Sequence, residues 1–272
     1  MTEKEPNKTW QSAAFNRETN EWDIVDLHSY DHTVERNLEE LLVRPASPHT
    51  LRPLRRTTKK ATKEIITLAG GDAQFPFADD EAVGKFLQSA RDLQPDEIVL
   101  LGDMTDLPAL SRFEQRKEWV GSTQKGIDEY YTFLASLRTN APNSRIVAVH
   151  GNHEQRLIKS LEKNLSEIAG IRLAMGERAL LSIQNLARYD ELEIESVDGY
   201  PNGTYWAEEN LKFIHGTNTK RGGSNAAKYL AEERETTIYG HTHRQELAYR
   251  TFATRNGSHT IGAGSPGALC LY

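Results

Sequence analysis

The sequence predicts an α/β fold, with a mixed sheet or two facing sheets in place of one purely parallel sheet. Three observations carry this. Short apolar runs alternate with amphipathic helical stretches from residue 65 to about residue 168. A polar cluster follows each of those runs, where a chain leaves the carboxyl edge of a sheet. The second half of the chain is denser in strand-like segments than in helices.

The elements follow in order. Residues 65–69 form a short apolar strand ahead of Gly70-Gly71-Asp72. Residues 80–90 read as a helix, with Val83, Phe86 and Leu87 on one face. Residues 97–101 form a second strand, followed by Gly102-Asp103. A mostly helical stretch spans 111–138 and carries Phe113, Trp119, Ile127, Tyr130, Tyr131, Phe133 and Leu134, with Gly121 as its candidate break. Residues 145–149 form a third strand, which ends at His150-Gly151-Asn152-His153, and a helix over 154–168 follows. Strands are then expected over 192–197, 203–206, 211–215, 236–239, 245–251 and 258–261, with a helix over 226–233.

The first 64 residues read differently. Trp10, Phe15, Trp22, Ile24, Val25 and Leu27 are apolar anchors in a polar stretch. Residues 32–43 read as a short helix that ends before Pro45 and Pro48. Residues 52–63 then hold six basic side chains in twelve, Arg52, Arg55, Arg56, Lys59, Lys60 and Lys63. A solvated linker and a phosphate-tracking arm for nucleic acid are the two readings of that run. No aromatic residues are interleaved with it, so no base-stacking platform is visible there. The expected division is therefore 1–64, an N-terminal extension with a basic linker, and 65–272, one domain.

Composition excludes several classes. At 272 residues, with 38% hydrophobic and 26% charged, the chain suits a globular protein with a sizeable core. No apolar run is long enough to span a bilayer, and the first residues lack a signal-like apolar core, so a cytoplasmic or otherwise intracellular, non-secreted protein is expected. A single cysteine, Cys270, rules out an intrachain disulfide and a cysteine-based metal cluster. The net charge of −6 disfavours a binder that uses its whole surface for nucleic acid, but permits a local basic patch.

Five short clusters carry the chemistry: Asp72-Ala73-Gln74, Gly102-Asp103-Met104-Thr105-Asp106, Gly151-Asn152-His153-Glu154, His215-Gly216 and Gly240-His241-Thr242-His243. Each follows an apolar strand and offers oxygen or imidazole donors. Carboxylate, amide and imidazole suit Mn²⁺, Fe²⁺, Zn²⁺ or Mg²⁺ rather than a thiophilic metal. Singly, each cluster is an ordinary turn; together and in this order they point to a metal centre.

In that order the chain resembles the calcineurin-like metallophosphoesterases from about residue 65 to residue 261. The resemblance implies a two-sheet mixed β-sandwich flanked by helices, α/β (α+β in some schemes), with two divalent metal ions at one sheet edge. Manganese is favoured, with magnesium, iron, nickel or zinc as alternatives. Carried over residue by residue, it places one metal between Asp72, Gln74, Asp103 and His243. It places the other between Asp103, Asn152, His215 and His241, with Asp103 bridging. His153 matches the non-ligand histidine that faces the substrate and protonates the leaving oxygen or stabilises the phosphoryl oxygens, and Asp106 matches the acid that orients it. The implied reaction is hydrolysis of a phosphate ester by a metal-bridging hydroxide.

Two departures from the family pattern matter. Its first motif is Asp-x-His, and here it is Asp72-Ala73-Gln74. Two outcomes are open: Gln74 ligates through its amide oxygen, directly or through water, or it stands off and weakens that site. The second departure concerns phosphate clamps. Ser/Thr phosphatases of this superfamily carry Arg-Gly after the second aspartate of Gly-Asp-x-x-Asp; here Asp106 is followed by Leu107-Pro108. Gly151 to Arg156 nonetheless matches their Gly-Asn-His-Glu-x-Arg, which makes Arg156 a phosphate-binding candidate. His150 is a further candidate, as a substrate contact or as a packed or backbone-bonded histidine, and Lys220 and Arg221 lie in the basic loop 216–224, which either reaches over bound substrate or is a surface connection. Losing one arginine fits a phosphodiester, with a nucleotide or nucleic acid as the natural example. The alternatives are a phosphomonoesterase or protein phosphatase, and a degenerate metal-binding scaffold that binds nucleic acid or a protein partner.

Overall fold

The computed structural model of this chain describes residues 11–16, 21–26, 64–111, 121–219, 224–254 and 257–270. The chain divides into two compact units, Met1–Thr50 and Leu51–Tyr272. In the first unit, β1 (Gln11–Asn16) and β2 (Glu21–Asp26) pair antiparallel, with Phe15 opposite Trp22 in the backbone register. This pairing is not legible in the sequence, where the segment reads as apolar anchors in a polar stretch. The helix expected over 32–43 and the basic run of 52–63 lie outside the described residues.

The second unit is a mixed α/β structure with two sheets. The first contains β3 (Thr67–Gly70), β4 (Glu97–Leu100), β5 (Arg145–Val149) and β6 (Ile194–Val197), all parallel and in sequence order. The second contains β7 (Thr204–Glu208), β8 (Leu211–Ile214), β9 (Thr236–Tyr239), β10 (Gln245–Thr254) and β11 (Gly257–Pro266) in the order β10-β11-β9-β8-β7. Its β7–β8 and β10–β11 pairs are antiparallel, while β8–β9 and β9–β11 are parallel.

Alternation along β4 and β5 explains how the layers stack. Side chains of successive strand residues point to opposite faces. Ile98 and Leu100, with Ile146 and Ala148, pack against Val83, Phe86 and Leu87 of α1 (Asp80–Leu93) and against Tyr130, Phe133 and Leu134 of α2 (Ser122–Asn140). Val99 and Leu101, with Val147 and Val149, pack instead on Tyr205 of β7 and Phe213 of β8. One core thus lies between the sheets and another under the helices. Strands buried on both faces read as the continuous apolar runs seen in the sequence. On the outer face of the second sheet, Ala226, Tyr229 and Leu230 of α6 (Asn225–Glu232) cover Tyr239, Ile261 and Ala263.

Local chemistry sets the ends. Asp79 caps α1 by accepting from the backbone N–H groups of Glu81 (2.9 Å) and Ala82 (3.2 Å). Gly121, with φ +84°, precedes α2, where the sequence placed a break; residues 112–120, with Phe113 and Trp119, lie outside the described residues. The helix expected over 154–168 is two pieces. These are α3 (Asn152–Asn164) and the short α4 (Ser166–Ala169), parted at Leu165, whose φ of −144° and ψ of 51° are not helical. A further short helix, α5 (Ile183–Leu186), precedes β6. Among the described residues no helix is long and apolar enough to cross a membrane.

Candidate metal centre

Strands β3, β4, β5, β8 and β9 all end at one edge, and the turns after them bring the ligand candidates together. The first sheet supplies Asp72, Gln74, Asp103 and Asn152; the second supplies His215, His241 and His243. Oxygen donors thus face imidazoles across the gap between sheets.

The turns are unusually tight. Asp72, Gln74, Asp103, His241 and His243 all have φ between +50° and +68°. Each such residue costs about 1–3 kcal/mol. Five of seven ligand candidates in that region mark a backbone bent to aim side chains. Two glycines make the approach possible. A Cβ on Gly102 (φ +87°) would sit 2.6 Å from the Gly151 nitrogen, and one on Gly151 would sit 2.2 Å from Asp103 Oδ1.

Asp103 stands at the centre and is 1% exposed. Its Oδ1 accepts the backbone N–H of His153 at the start of α3 (2.8 Å), and its Oδ2 is 3.3 Å from His215 Nε2. Burial opposes its ionisation, but His215 and His153 outweigh burial and hold it well below the usual carboxylate range. His215 answers in kind: burial lowers its pKa, yet Asp103 and Asp72 push it up to about 9. The site is therefore an anion that gathers positive charge, and a divalent ion would take the place of that proton.

His215 is also oriented. Its Nδ1 lies 2.7 Å from the Leu101 carbonyl oxygen, which can only accept. The Nδ1 proton is thereby directed at that oxygen, and Nε2 faces Asn152 Oδ1 (3.1 Å) and His241 Nδ1 (3.1 Å). Asp103, His215 and His241 have ligand atoms within 4.8 Å of one another. Burial first, then His215, lowers the His241 pKa and favours the neutral, ligating ring.

The other half is looser. Asp72 is fully buried and accepts the His241 N–H through both oxygens (3.1 and 2.9 Å). Its Oδ1 lies 3.5 Å from His243 Nε2, and the Gln74 amide nitrogen lies 3.2 Å from the same ring nitrogen. Gln74 Oε1 is buried without a hydrogen-bond partner. Turning the amide over places that oxygen at the His243 ring nitrogen, beside Asp72. An orphaned buried carbonyl oxygen beside a carboxylate and an imidazole is what an oxygen-seeking cation fits.

His153 is held outside the ligand ring. Its Nδ1 is 2.8 Å from Asp106 Oδ1, an ion-pair distance without the alignment of a hydrogen bond, and its Nε2 is 3.6 Å from Asp103 Oδ2. Arg156 Nη2 lies 2.6 Å from His153 Nε2, and Nη1 donates to the Asp106 carbonyl oxygen at 2.9 Å. The phosphate-clamp candidate therefore rests on the histidine–aspartate pair. His150 is not among these groups. It continues the helix-side register of Ile146 and Ala148 on β5, and its ring is buried against Ser196 Oγ (3.3 Å) and Asp198 Oδ1 (3.2 Å). His150 thus sits as a packed, hydrogen-bonded residue, one of the two readings open to it from the sequence. Lys220 and Arg221 lie outside the described residues.

Two contributors escaped the sequence reading. Glu154, 2% exposed, accepts the backbone N–H groups of Asp103 (2.9 Å), Met104 (2.8 Å), Thr105 (3.1 Å) and Gly151 (2.9 Å). It clamps the second and third clusters together, and its place next to His153 was the available signal. Tyr200 sets its ring edge-on to His215, with centroids 5.7 Å apart.

No family model matches the chain. It is similar to two mycobacteriophage proteins, both named Gene 54 protein, and neither name states an activity. The protein of Mycobacterium phage D29 is 29% identical over 205 residues, 70% of this chain and 73% of that protein. The protein of Mycobacterium phage L5 is 26% identical over 213 residues, 75% of this chain and 74% of that one.

Proposed function

We propose that this chain is a divalent-metal-dependent phosphoesterase of the calcineurin-like metallophosphoesterase type, with phosphodiesters favoured. The observation that carries the reading is the convergence of Asp72, Gln74, Asp103, Asn152, His215, His241 and His243 from five strand ends around one buried carboxylate. The two facing sheets with helices outside support it. Asp72, Gln74, Asp103 and His243 would hold one cation; Asp103, Asn152, His215 and His241 would hold the other. When bound, the pair would polarise the phosphoryl oxygens and acidify a water.

The remaining groups handle the leaving side. A guanidinium only donates, so His153 Nε2 accepts from Arg156 and the ring proton sits on Nδ1, toward Asp106. An arriving phosphate oxygen offers Arg156 a better, charged acceptor and releases Nε2. A proton taken up there, with Asp106 stabilising the imidazolium, then passes to the departing oxygen. The diester preference rests on the sequence, where Leu107-Pro108 follow Asp106 in place of the Arg-Gly pair of the Ser/Thr phosphatases, so that one phosphate-clamping arginine is missing. Nucleic acid or a nucleotide as the natural diester rests on the basic residues of 52–63, the loop 216–224 and the missing arginine.

The test uses metal-stripped full chain with Mn²⁺, Mg²⁺, Ni²⁺, Co²⁺ or Zn²⁺ added in turn. Hydrolysis of bis-p-nitrophenyl phosphate should exceed that of p-nitrophenyl phosphate and vanish in Asn152→Ala. A monoester preference would overturn the diester assignment. No turnover in any metal would overturn the enzyme reading.

A further inference from the structure

Cys270 lies close to the metal centre although it is far from the ligand clusters in sequence. The Leu269 N–H donates to the Gly71 carbonyl (3.1 Å), the Asp79 N–H donates to the Leu269 carbonyl (2.8 Å), and Cys270 pairs with Ala78 in an antiparallel bridge. This stitches the segment between the turn that carries Asp72 and the cap of α1. The Cys270 sulfur thereby lies 3.6 Å from His243 Nδ1. The opposite ring nitrogen, Nε2, is the one facing Asp72 and Gln74.

The parallel with His215 is direct. There the Leu101 carbonyl takes the Nδ1 proton and leaves Nε2 free to ligate. At His243 the group on Nδ1 is a thiol. A ring with its proton on Nδ1, against the sulfur, has its Nε2 lone pair aimed at the Asp72–Gln74 side. A ring with the other tautomer presents a proton there and binds nothing.

We propose that Cys270 is a positioning residue for the first metal site: its sulfur accepts the His243 Nδ1–H and fixes the tautomer and ring angle that direct Nε2 at the cation. The inference rests on the metal-centre reading. Groups that orient a ligating histidine are worth about 10- to 100-fold in metal affinity, and a thiol is a weak acceptor, so the effect belongs near 10-fold.

The experiment titrates metal-stripped full chain with Mn²⁺ in competition with a chelator, for wild type, Cys270→Ala and Cys270→Ser. Wild type is expected to bind two cations. Cys270→Ala should weaken one of them by about 10-fold and leave the other within about 2-fold, and Cys270→Ser should recover most of the loss. Long-range ¹H–¹⁵N correlation of the histidine rings should show His243 protonated on Nδ1 in wild type and mixed in Cys270→Ala. Unchanged affinities and an unchanged His243 tautomer in Cys270→Ala would overturn the proposal while leaving the metal centre standing. A wild-type chain that binds no cation would overturn the metal-centre reading, and this one with it.

Discussion

In the proposed centre the two halves have Asp103 as their common ligand, and they orient their histidines differently. Around His215, orientation comes from the backbone: a carbonyl takes one ring nitrogen, and the other meets Asn152, His241 and Asp103 within 3.3 Å. Around His243, orientation comes from side chains: a thiol on one nitrogen, and an amide with an orphaned oxygen near the other. Backbone atoms in a sheet are fixed by the fold, whereas side chains must be fixed by one another. On the proposed reading, the half built on backbone would be preorganised for its ion, and the half built on Gln74 and Cys270 would give up its metal first.

Asp103→Asn strikes both halves, because the shared negative charge disappears. Both cations should be lost, and diester turnover should fall by about 10⁴-fold or more, since metal assistance is worth several kcal/mol. Retention of two cations, measured by elemental analysis of the purified variant, would dissolve the comparison.

His153→Ala strikes neither half. Metal content should stay at the wild-type value while turnover drops by roughly 10²–10⁴-fold, the range for a lost general acid. Metal loss in that variant would place His153 inside the ligand set.

Gln74→His separates the halves. An imidazole in place of the amide should tighten the Asp72–His243 half by about 10-fold and leave the His215–His241 half unchanged. Chelator competition reads this directly, and equal tightening of both sites would remove Gln74 from the first.

Glu154→Gln tests what the halves have in common. Its carboxylate accepts four backbone N–H groups. An amide turns an N–H toward some of them, at a cost of about 1–3 kcal/mol in unfolding free energy by denaturant titration. An unchanged midpoint would mean the clamp is dispensable.

Much of this was readable from the chain. Strand ends, apolar alternation and the clusters after β3, β4, β5, β8 and β9 were legible because each is local: a short apolar run, a turn, a donor. What was not legible depends on contacts distant in sequence. Cys270 reaches His243 through long-range pairings, its own bridge to Ala78 and the bond from Leu269 to Gly71. Glu154 works by capturing the turn at Asp103, some fifty residues before it. Positive φ at Asp72, Gln74 and His243 is uncommon for residues other than glycine and has no signal in the sequence pattern. His150 stands as the reverse case. Its place just before Gly151 leaves a substrate contact and a packed ring both open, and the strand alternation that sends Ala148 to the helix side sends His150 there too.

If one carboxylate joins two unequal metal sites, anomalous diffraction from crystals grown with Mn²⁺, followed by a graded chelator soak, will resolve them. Two peaks should flank Asp103, and the peak beside Asp72, Gln74 and His243 should fade first. A peak absent from both positions, or one that fades first beside His215 and His241, would contradict it.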